Sequence, residues 1–344
     1  MKSFLCILVY LVFIVGCWDS IPSDKKGTNS SNNQNDAPES SVEWSKLQNR
    51  NGIAYLPNST NPFTGYGMLN FENGQVEVLA QIKDGYVTRL KQWKENGIQR
   101  WEVGFKPKSM GIENIPFESF EDISLENRHG YSMVQFDNGQ LKGESNWKNG
   151  KKNGSWIGWY QNGQIHRKSN WVEGNLDGLQ NAWYDNGQRK WRANWKNGQK
   201  HGTCFGWFPD GRKKWESYYK DDKKHGLCSA WYENGNKERE SSWKNGEKNG
   251  LFSGWFMNGK KERESNYKMG KADGLWSGWY ENGQKKRESI WKEDKLMSSI
   301  SWKPDGQKWP ITNLIEGNGI KVSYNSDGTE QSRLSFKDGK IVDQ

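Results

Sequence analysis

The stretch Trp159-Tyr160-Gln161-Asn162-Gly163-Gln164, followed by Trp171 and then by Trp183-Tyr184-Asp185-Asn186-Gly187-Gln188, decides the fold. The same words return at Trp207-Phe208-Pro209-Asp210-Gly211, Trp231-Tyr232-Glu233-Asn234-Gly235, Trp255-Phe256-Met257-Asn258-Gly259 and Trp279-Tyr280-Glu281-Asn282-Gly283, always 24 residues apart. A fixed period of this kind marks stacked supersecondary units that share one continuous core. From Trp147 to Trp291 a large aromatic also stands every 12 residues, so each unit holds two strands and two turns.

One turn carries Asn-Gly or Asp-Gly after the Trp-Tyr pair (Asn162-Gly163, Asn186-Gly187, Asp210-Gly211). That dipeptide predicts a hairpin with a type I′ turn, whose two central residues both need positive φ. The other turn follows the lone aromatic, as in Trp195-Lys196-Asn197-Gly198-Gln199-Lys200-His201-Gly202, where a second Gly arrives four residues later. Within the strands, period-two alternation assigns faces. Small residues precede each paired Trp (Gly158, Ala182, Gly206, Ala230, Gly254, Gly278) and stand two before each lone aromatic (Ser169, Ala193, Ser217, Ser241, Ser265, Ser289). Small neighbours let large rings lie across adjacent strands. The expected fold is all-β: an elongated single-layer antiparallel β-meander of tandem 24-residue hairpin repeats.

Composition agrees with a thin structure. Only 33% of the 344 residues are hydrophobic, yet there are 21 Trp, 13 Tyr and 13 Phe, with 39 Gly and 9 Pro. One unit cannot bury enough surface to offset the ordering of its own chain, so stability must come from neighbours. The net charge of +9 arises from 50 basic and 41 acidic residues interspersed along the strands, as in Lys237-Glu238-Arg239-Glu240. A nucleic-acid binder usually segregates its cations, which argues against that partner. Weak attraction to anionic lipid or cell-wall polymer stays open.

The array has a preamble. Met1-Lys2 leads into an apolar run from Phe4 to Val15, of signal-peptide length, that ends in Ile14-Val15-Gly16-Cys17. This ending resembles the bacterial lipobox, which implies cleavage before Cys17 and lipidation of that residue. Residues 1–16 are thus expected to be a lipoprotein signal peptide. Residues 17–42, rich in Ser, Asn and Asp, are expected to be a disordered tether with a reach of about 25 to 30 Å. Residues 43–105 read as degenerate N-terminal repeats, 131–298 as regular repeats and 299–344 as degenerate C-terminal ones. Between Gly97 and the next matching Gly139 lie 42 positions, and the excess at 106–130 is either an insertion or an eroded repeat.

Units such as Gly250-Leu251-Phe252-Ser253-Gly254-Trp255-Phe256-Met257-Asn258-Gly259, followed by Tyr267-Lys268-Met269-Gly270-Lys271-Ala272-Asp273-Gly274, resemble the MORN repeat in its bacterial variant, as found in YwqK-family antitoxins. The lead-in Asn61-Pro62-Phe63-Thr64-Gly65 is similar to that of the same family. The resemblance implies a hairpin-repeat scaffold and, through the family label, a toxin-sequestering role. Function must still be argued from a site.

Candidate chemistry is sparse. Cys204 and Cys228 occupy one repeat position two strands apart, about 9.6 Å, beyond the reach of a disulfide. His201 and His225, three residues before those Cys, imitate a zinc pattern, but other units place Asn153, Asp177, Asn249 or Asp273 there. Glu238 and Glu240 share a strand face by period-two counting and read as part of a solvated charge ladder. No catalytic, cofactor or metal residue emerges. The expectation is a non-enzyme without cofactors, anchored through Cys17 in the bacterial envelope, on the outer membrane or the outer face of the cytoplasmic membrane. It would bind a protein or an envelope component along an aromatic face carrying Trp159, Trp183, Trp207, Trp231, Trp255 and Trp279. The alternatives are sequestration of an exported toxin and cell-wall or carbohydrate binding, since Trp-Tyr hairpins are similar to choline-binding repeats of different period.

Overall fold

A computed structural model describes residues 37–111, 125–309, 313–325 and 329–342. The expected signal peptide, Cys17 and the tether up to residue 36 lie outside the described residues, as does the middle of the 106–130 segment. The main feature is one open sheet of 22 strands among the described residues. From Gly65–Asn70 onward, through Val76–Lys83, Tyr86–Trp93, Gln99–Phe105, Arg128–Gln135, Leu141–Lys148 and Lys151–Trp159 to Lys295–Ser301, successive strands pair antiparallel. The exception is Ser41–Glu43, which runs parallel beside Gly65–Asn70. Gln99–Phe105 pairs directly with Arg128–Gln135, so the sheet continues across the irregular segment.

The turn chemistry differs from the expectation in an instructive way. After each Trp-Tyr pair the backbone makes a type I turn closed by one left-handed Gly: Gly163 N donates to Tyr160 O at 2.9 Å, Tyr160 N to Gln164 O at 2.8 Å, and only Gly163 (φ 84°) has positive φ. The true type I′ turns follow the lone aromatics, where Asn197 (φ 50°) and Gly198 (φ 80°) are both left-handed. Loop length makes the difference, because three residues after the Trp-Tyr pair accommodate an extra bulged residue that a two-residue loop cannot. A separate bulge follows in each hairpin, opposite the step from Gly158 to Trp159 and its equivalents, where His166 or its counterpart is the extra residue. A second, wider irregularity surrounds the later Gly, so that Ser241 pairs with Phe252 while Trp243 pairs with Lys248.

Register assigns every side chain to a face. One face carries the row Ser145, Ser169, Ala193, Ser217, Ser241, Ser265 and Ser289, all buried, and is called the serine face. The opposite, leucine face exposes Leu179, Leu227, Leu251, Leu275 and Ile290.

The two ends of the sheet are thickened. At the N-terminal end the aromatics give way to aliphatics. Val78, Ala80, Ile82, Val87, Leu90 and Val103 form a buried cluster with Ala54, Phe63 and Met110, against which Trp44 and Leu47 pack. Gly67 lies under this cover, where an ideal Cβ would sit 2.9 Å from the Trp44 ring. At the C-terminal end a separate sheet of Gly319–Tyr324, Glu330–Lys337 and Lys340–Ile341 is tied to the last array strand by Leu296 N to Gly339 O at 3.0 Å. Leu296, Leu314 and Val322 are buried there. Covered ends are what a repeat stack requires, since a terminal unit has a neighbour on one side only.

Candidate binding faces

Neighbouring units are stitched through their turns. The Tyr160, Tyr184, Tyr232 and Tyr280 hydroxyls donate to the backbone oxygens of Trp183, Trp207, Trp255 and Trp302 at 2.8 to 2.9 Å. Burial pushes all four phenols above their ordinary pKa. On the same edge, Asn162 and Asn186 Nδ2 donate to the Asp185 and Pro209 oxygens at 2.9 and 3.0 Å. At the other edge, the side chains of Asn153, Asp177 and Asn249 accept from the N–H groups of Glu173, Asn197 and Met269, the first residues of the following type I′ turns. These contacts leave few polar groups of the turns without a partner, and they tie each turn to the next unit.

On the leucine face, Trp159, Trp183, Trp207, Trp231, Trp255 and Trp279 form a row of half-buried rings, one per unit. From Trp207 on, each is overlaid by a cation of the preceding unit: Arg189 over Trp207 at 5.6 Å, Lys213 over Trp231 at 5.2 Å, Lys237 over Trp255 at 5.4 Å and Lys261 over Trp279 at 5.8 Å. Lys213, Lys237 and Lys261 are also paired with Glu216, Glu240 and Glu264 three residues on. On the same face run the exposed aliphatics, with Leu227 at 53% and Leu251 and Leu275 at 44%.

The serine face has different electrostatics. Its lone aromatics alternate, strand by strand, with the residues paired to them on the following strand. The order is Trp147, Lys152, Trp171, Leu176, Trp195, Lys200, Tyr219, Lys224, Trp243, Lys248, Tyr267, Ala272, Trp291, Leu296. Lys152 Nζ lies 4.8 Å from the Trp171 ring centre and 5.8 Å from that of Trp147. Lys200 reaches Trp195 and Tyr219 at 5.7 and 5.3 Å, Lys224 reaches Trp243 at 4.8 Å, and Lys248 reaches Tyr267 at 4.6 Å. Burial, then the charge of Arg128, depresses the Lys152 ammonium. A cleft of about 950 Å³ opens at this end of the row, lined by Trp101, Arg128, Trp147, Lys152 and Trp156 among others.

Four segments of this array, residues 128–149, 152–173, 224–245 and 272–293, match a family model described as the MORN repeat variant. The chain carries MORN-variant repeats. No curated protein matches it. Among solved structures, similarity extends to a crystal structure of TcdB2-TccC3 without its hypervariable C-terminal region, with 9% identity, a TM-score of 0.17, and coverage of 81% of this chain and 16% of that one. The Photorhabdus luminescens Tc holotoxin pore matches at 9% identity and a TM-score of 0.17, covering 83% and 16%. The chain therefore spans about a sixth of the length of these structures.

Within the MORN units, the residues singled out in the sequence take structural places. Cys204 and Cys228 are buried free thiols on the serine face, each paired across Ser217 on the strand between them. His201 Nδ1 lies 3.1 Å from Asp221 Oδ1 and His225 Nδ1 accepts from Asn245 N at 3.5 Å, at the position where other units use Asn or Asp. Among the described residues no group of three or more His, Cys, Asp or Glu side chains is gathered as a metal site. Glu238 and Glu240 do not share a face. The bulge beside Trp231 inserts Glu238 as an extra residue, leaving Glu240 with Lys237 and Glu238 near the Tyr232 hydroxyl. Cys17 lies outside the described residues.

Two sets of residues escaped the sequence reading: the exposed Leu row and the ring-and-lysine row. Their signal was present as a 24-residue recurrence at positions 179, 227, 251 and 275 and at 152, 200, 224 and 248. Acidic residues are sorted by face more than basic ones. Between residues 142 and 248, the leucine face carries Glu144, Glu216, Glu240 and Glu247 among its lysines and arginines, with Lys213 and Lys237 paired to Glu216 and Glu240. The serine face carries Lys142, Lys152, Arg167, Lys190, Lys200, Lys214, Lys224, Arg239 and Lys248 against Glu238.

Proposed function

We propose that this MORN-repeat protein is a non-enzymatic scaffold, tethered to a bacterial membrane through lipid on Cys17, that binds a protein partner along its leucine face. The observation that carries the reading is the row of exposed Leu179, Leu227, Leu251 and Leu275 beside the half-buried Trp183, Trp231, Trp255 and Trp279. Exposed leucines and half-buried indoles on one face, with the Ser229–Glu240 and Ser253–Glu264 pairs between the two rows, combine apolar and polar contacts as a protein interface does. The turn ladders tie together the units that present it, which lowers the ordering cost of binding.

The test is affinity capture from envelope extract with the wild type and with a Leu227→Glu, Leu251→Glu, Leu275→Glu variant. The reading expects a discrete partner that the variant loses. Equal capture by both proteins would overturn it. The anchor is checked separately by palmitate labelling, which Cys17→Ser should abolish.

A further inference from the structure

We propose that the serine face of the MORN array binds an acidic polysaccharide, its sugar rings stacked on the lone aromatics and its carboxylates seated on Lys200, Lys224 and Lys248. This surface lies opposite the protein-binding stripe and does not depend on it.

Three observations converge. The first is the alternation of ring and ammonium described above, in which Lys200 and Lys248 each touch two rings, Trp195 and Tyr219 for the one, Phe252 and Tyr267 for the other. Pyranose C–H groups pack against such rings, and an ammonium lies 4.6 to 5.7 Å from the centres of Trp195, Tyr219, Trp243 and Tyr267, within reach of an acidic substituent on the sugar. The second is the absence of counter-charge. Lys200, Lys224 and Lys248 side chains have no hydrogen bond or ion pair among the described residues, whereas Lys213, Lys237 and Lys261 on the other face are each paired with a glutamate. A half-buried ammonium held only by aromatic rings keeps most of its attraction for an incoming anion. The third is that the described covers engage the sheet elsewhere. The C-terminal sheet meets it around Lys295 and Leu296, and the N-terminal cover packs on strands before residue 106.

The spacing selects the class of polymer. Equivalent residues in consecutive units are two strands apart, about 9.6 Å. A chain lying along the row therefore meets one cation per unit, which suits a polysaccharide with one uronate in every two sugars. A nucleic-acid strand carries a phosphate about every 3.4 Å in a duplex and would leave most of its charges unmatched.

The experiment measures binding of the full chain to hyaluronate oligosaccharides by tryptophan fluorescence and calorimetry at low salt. Dextran serves as the neutral control and an oligothymidylate as the nucleic-acid control. Micromolar or tighter binding of hyaluronate is expected, falling steeply with salt, without binding of dextran. The triple variant Lys200→Gln, Lys224→Gln, Lys248→Gln, which keeps the aliphatic stems between the rings, should bind at least about tenfold more weakly, as loss of three modest charge contacts implies. Circular dichroism verifies that it is folded, and the Lys→Arg triple should retain binding. Absence of hyaluronate binding by the wild type, equal binding by a folded Gln triple, or tighter binding of the oligothymidylate would each overturn the assignment. The Leu→Glu variant of the opposite face should bind hyaluronate like the wild type, so failure here is distinct from failure of the protein-partner reading.

Discussion

The indole Nε1 of Trp243 donates to Ser241 Oγ at 2.8 Å, two residues back on the same strand. The pairs Trp147 with Ser145, Trp171 with Ser169 and Trp291 with Ser289 repeat this bond at 2.8 to 3.0 Å. The small residue that the sequence marks as spacing is thus also the hydrogen-bond partner that lets an indole be buried. In one unit the position is Ala193, and Trp195 Nε1 is buried without a partner.

Ala193→Ser should therefore stabilise the array by about 1 kcal/mol, the usual net worth of such a bond. Ser241→Ala should cost about 1 to 2 kcal/mol because it strands a buried donor. Urea unfolding of the two variants checks both. A double-mutant cycle of Ser241→Ala with Trp243→Phe should show strong coupling, since removing the donor removes the reason for the acceptor.

The first residue of each type I′ turn has φ near 50°, and at Met269 (φ 48°) it is a side chain poorly suited to that region. Met269 is also 66% exposed, so its side chain contributes little packing. Met269→Asn matches Asn149, Asn197 and Asn245 in the other units. A gain of about 0.5 to 1 kcal/mol is expected, measured as a shift in the urea midpoint.

Cys204 is 2% exposed and burial pushes its thiol above the ordinary range. Native protein at pH 8 should react with a thiol reagent at Cys204 only through opening of the hairpin, hence orders of magnitude more slowly than in urea. Reaction at the rate of a free thiol would contradict the packing seen around Ser217.

His166 has its pKa depressed from 6.5, by burial first and then by Arg167 and Lys190. The folded state therefore binds this proton less readily than the unfolded chain. Its contribution is fully present above pH 6.5 and is lost as pH falls through the lower folded value. The effect is small because the ring is only partly buried. His166→Gln should flatten the stability profile below pH 6.5 and leave it unchanged above.

Much of the array was legible in one pass of the sequence. Period 24 fixes the hairpins and the equivalence of Cys204 with Trp156 and Phe252, because stacked units force equivalent residues into equivalent environments. Chain-local chemistry also places most turns at a Gly, as at Gly163 and Gly198, while Asp221-Asp222 and Glu293-Asp294 turn without one. What the sequence left open was parity. Period-two counting holds only between irregularities, and each unit contains two of them, so Glu238 and Glu240 part company and the paired and lone aromatics are sent to opposite faces.

By itself, then, the sequence determined a hairpin repeat, its period and its dependence on neighbours. Only the tertiary structure decided that Lys213 is tied to Glu216 while Lys224 stands over Trp243 with no counter-charge, and that the two ends of the sheet are covered. The physical reason is that bulges are settled by the pairing of each strand with the next, and covers by segments outside the repeats. A repeat read along one strand contains no record of the face on which its neighbours lie.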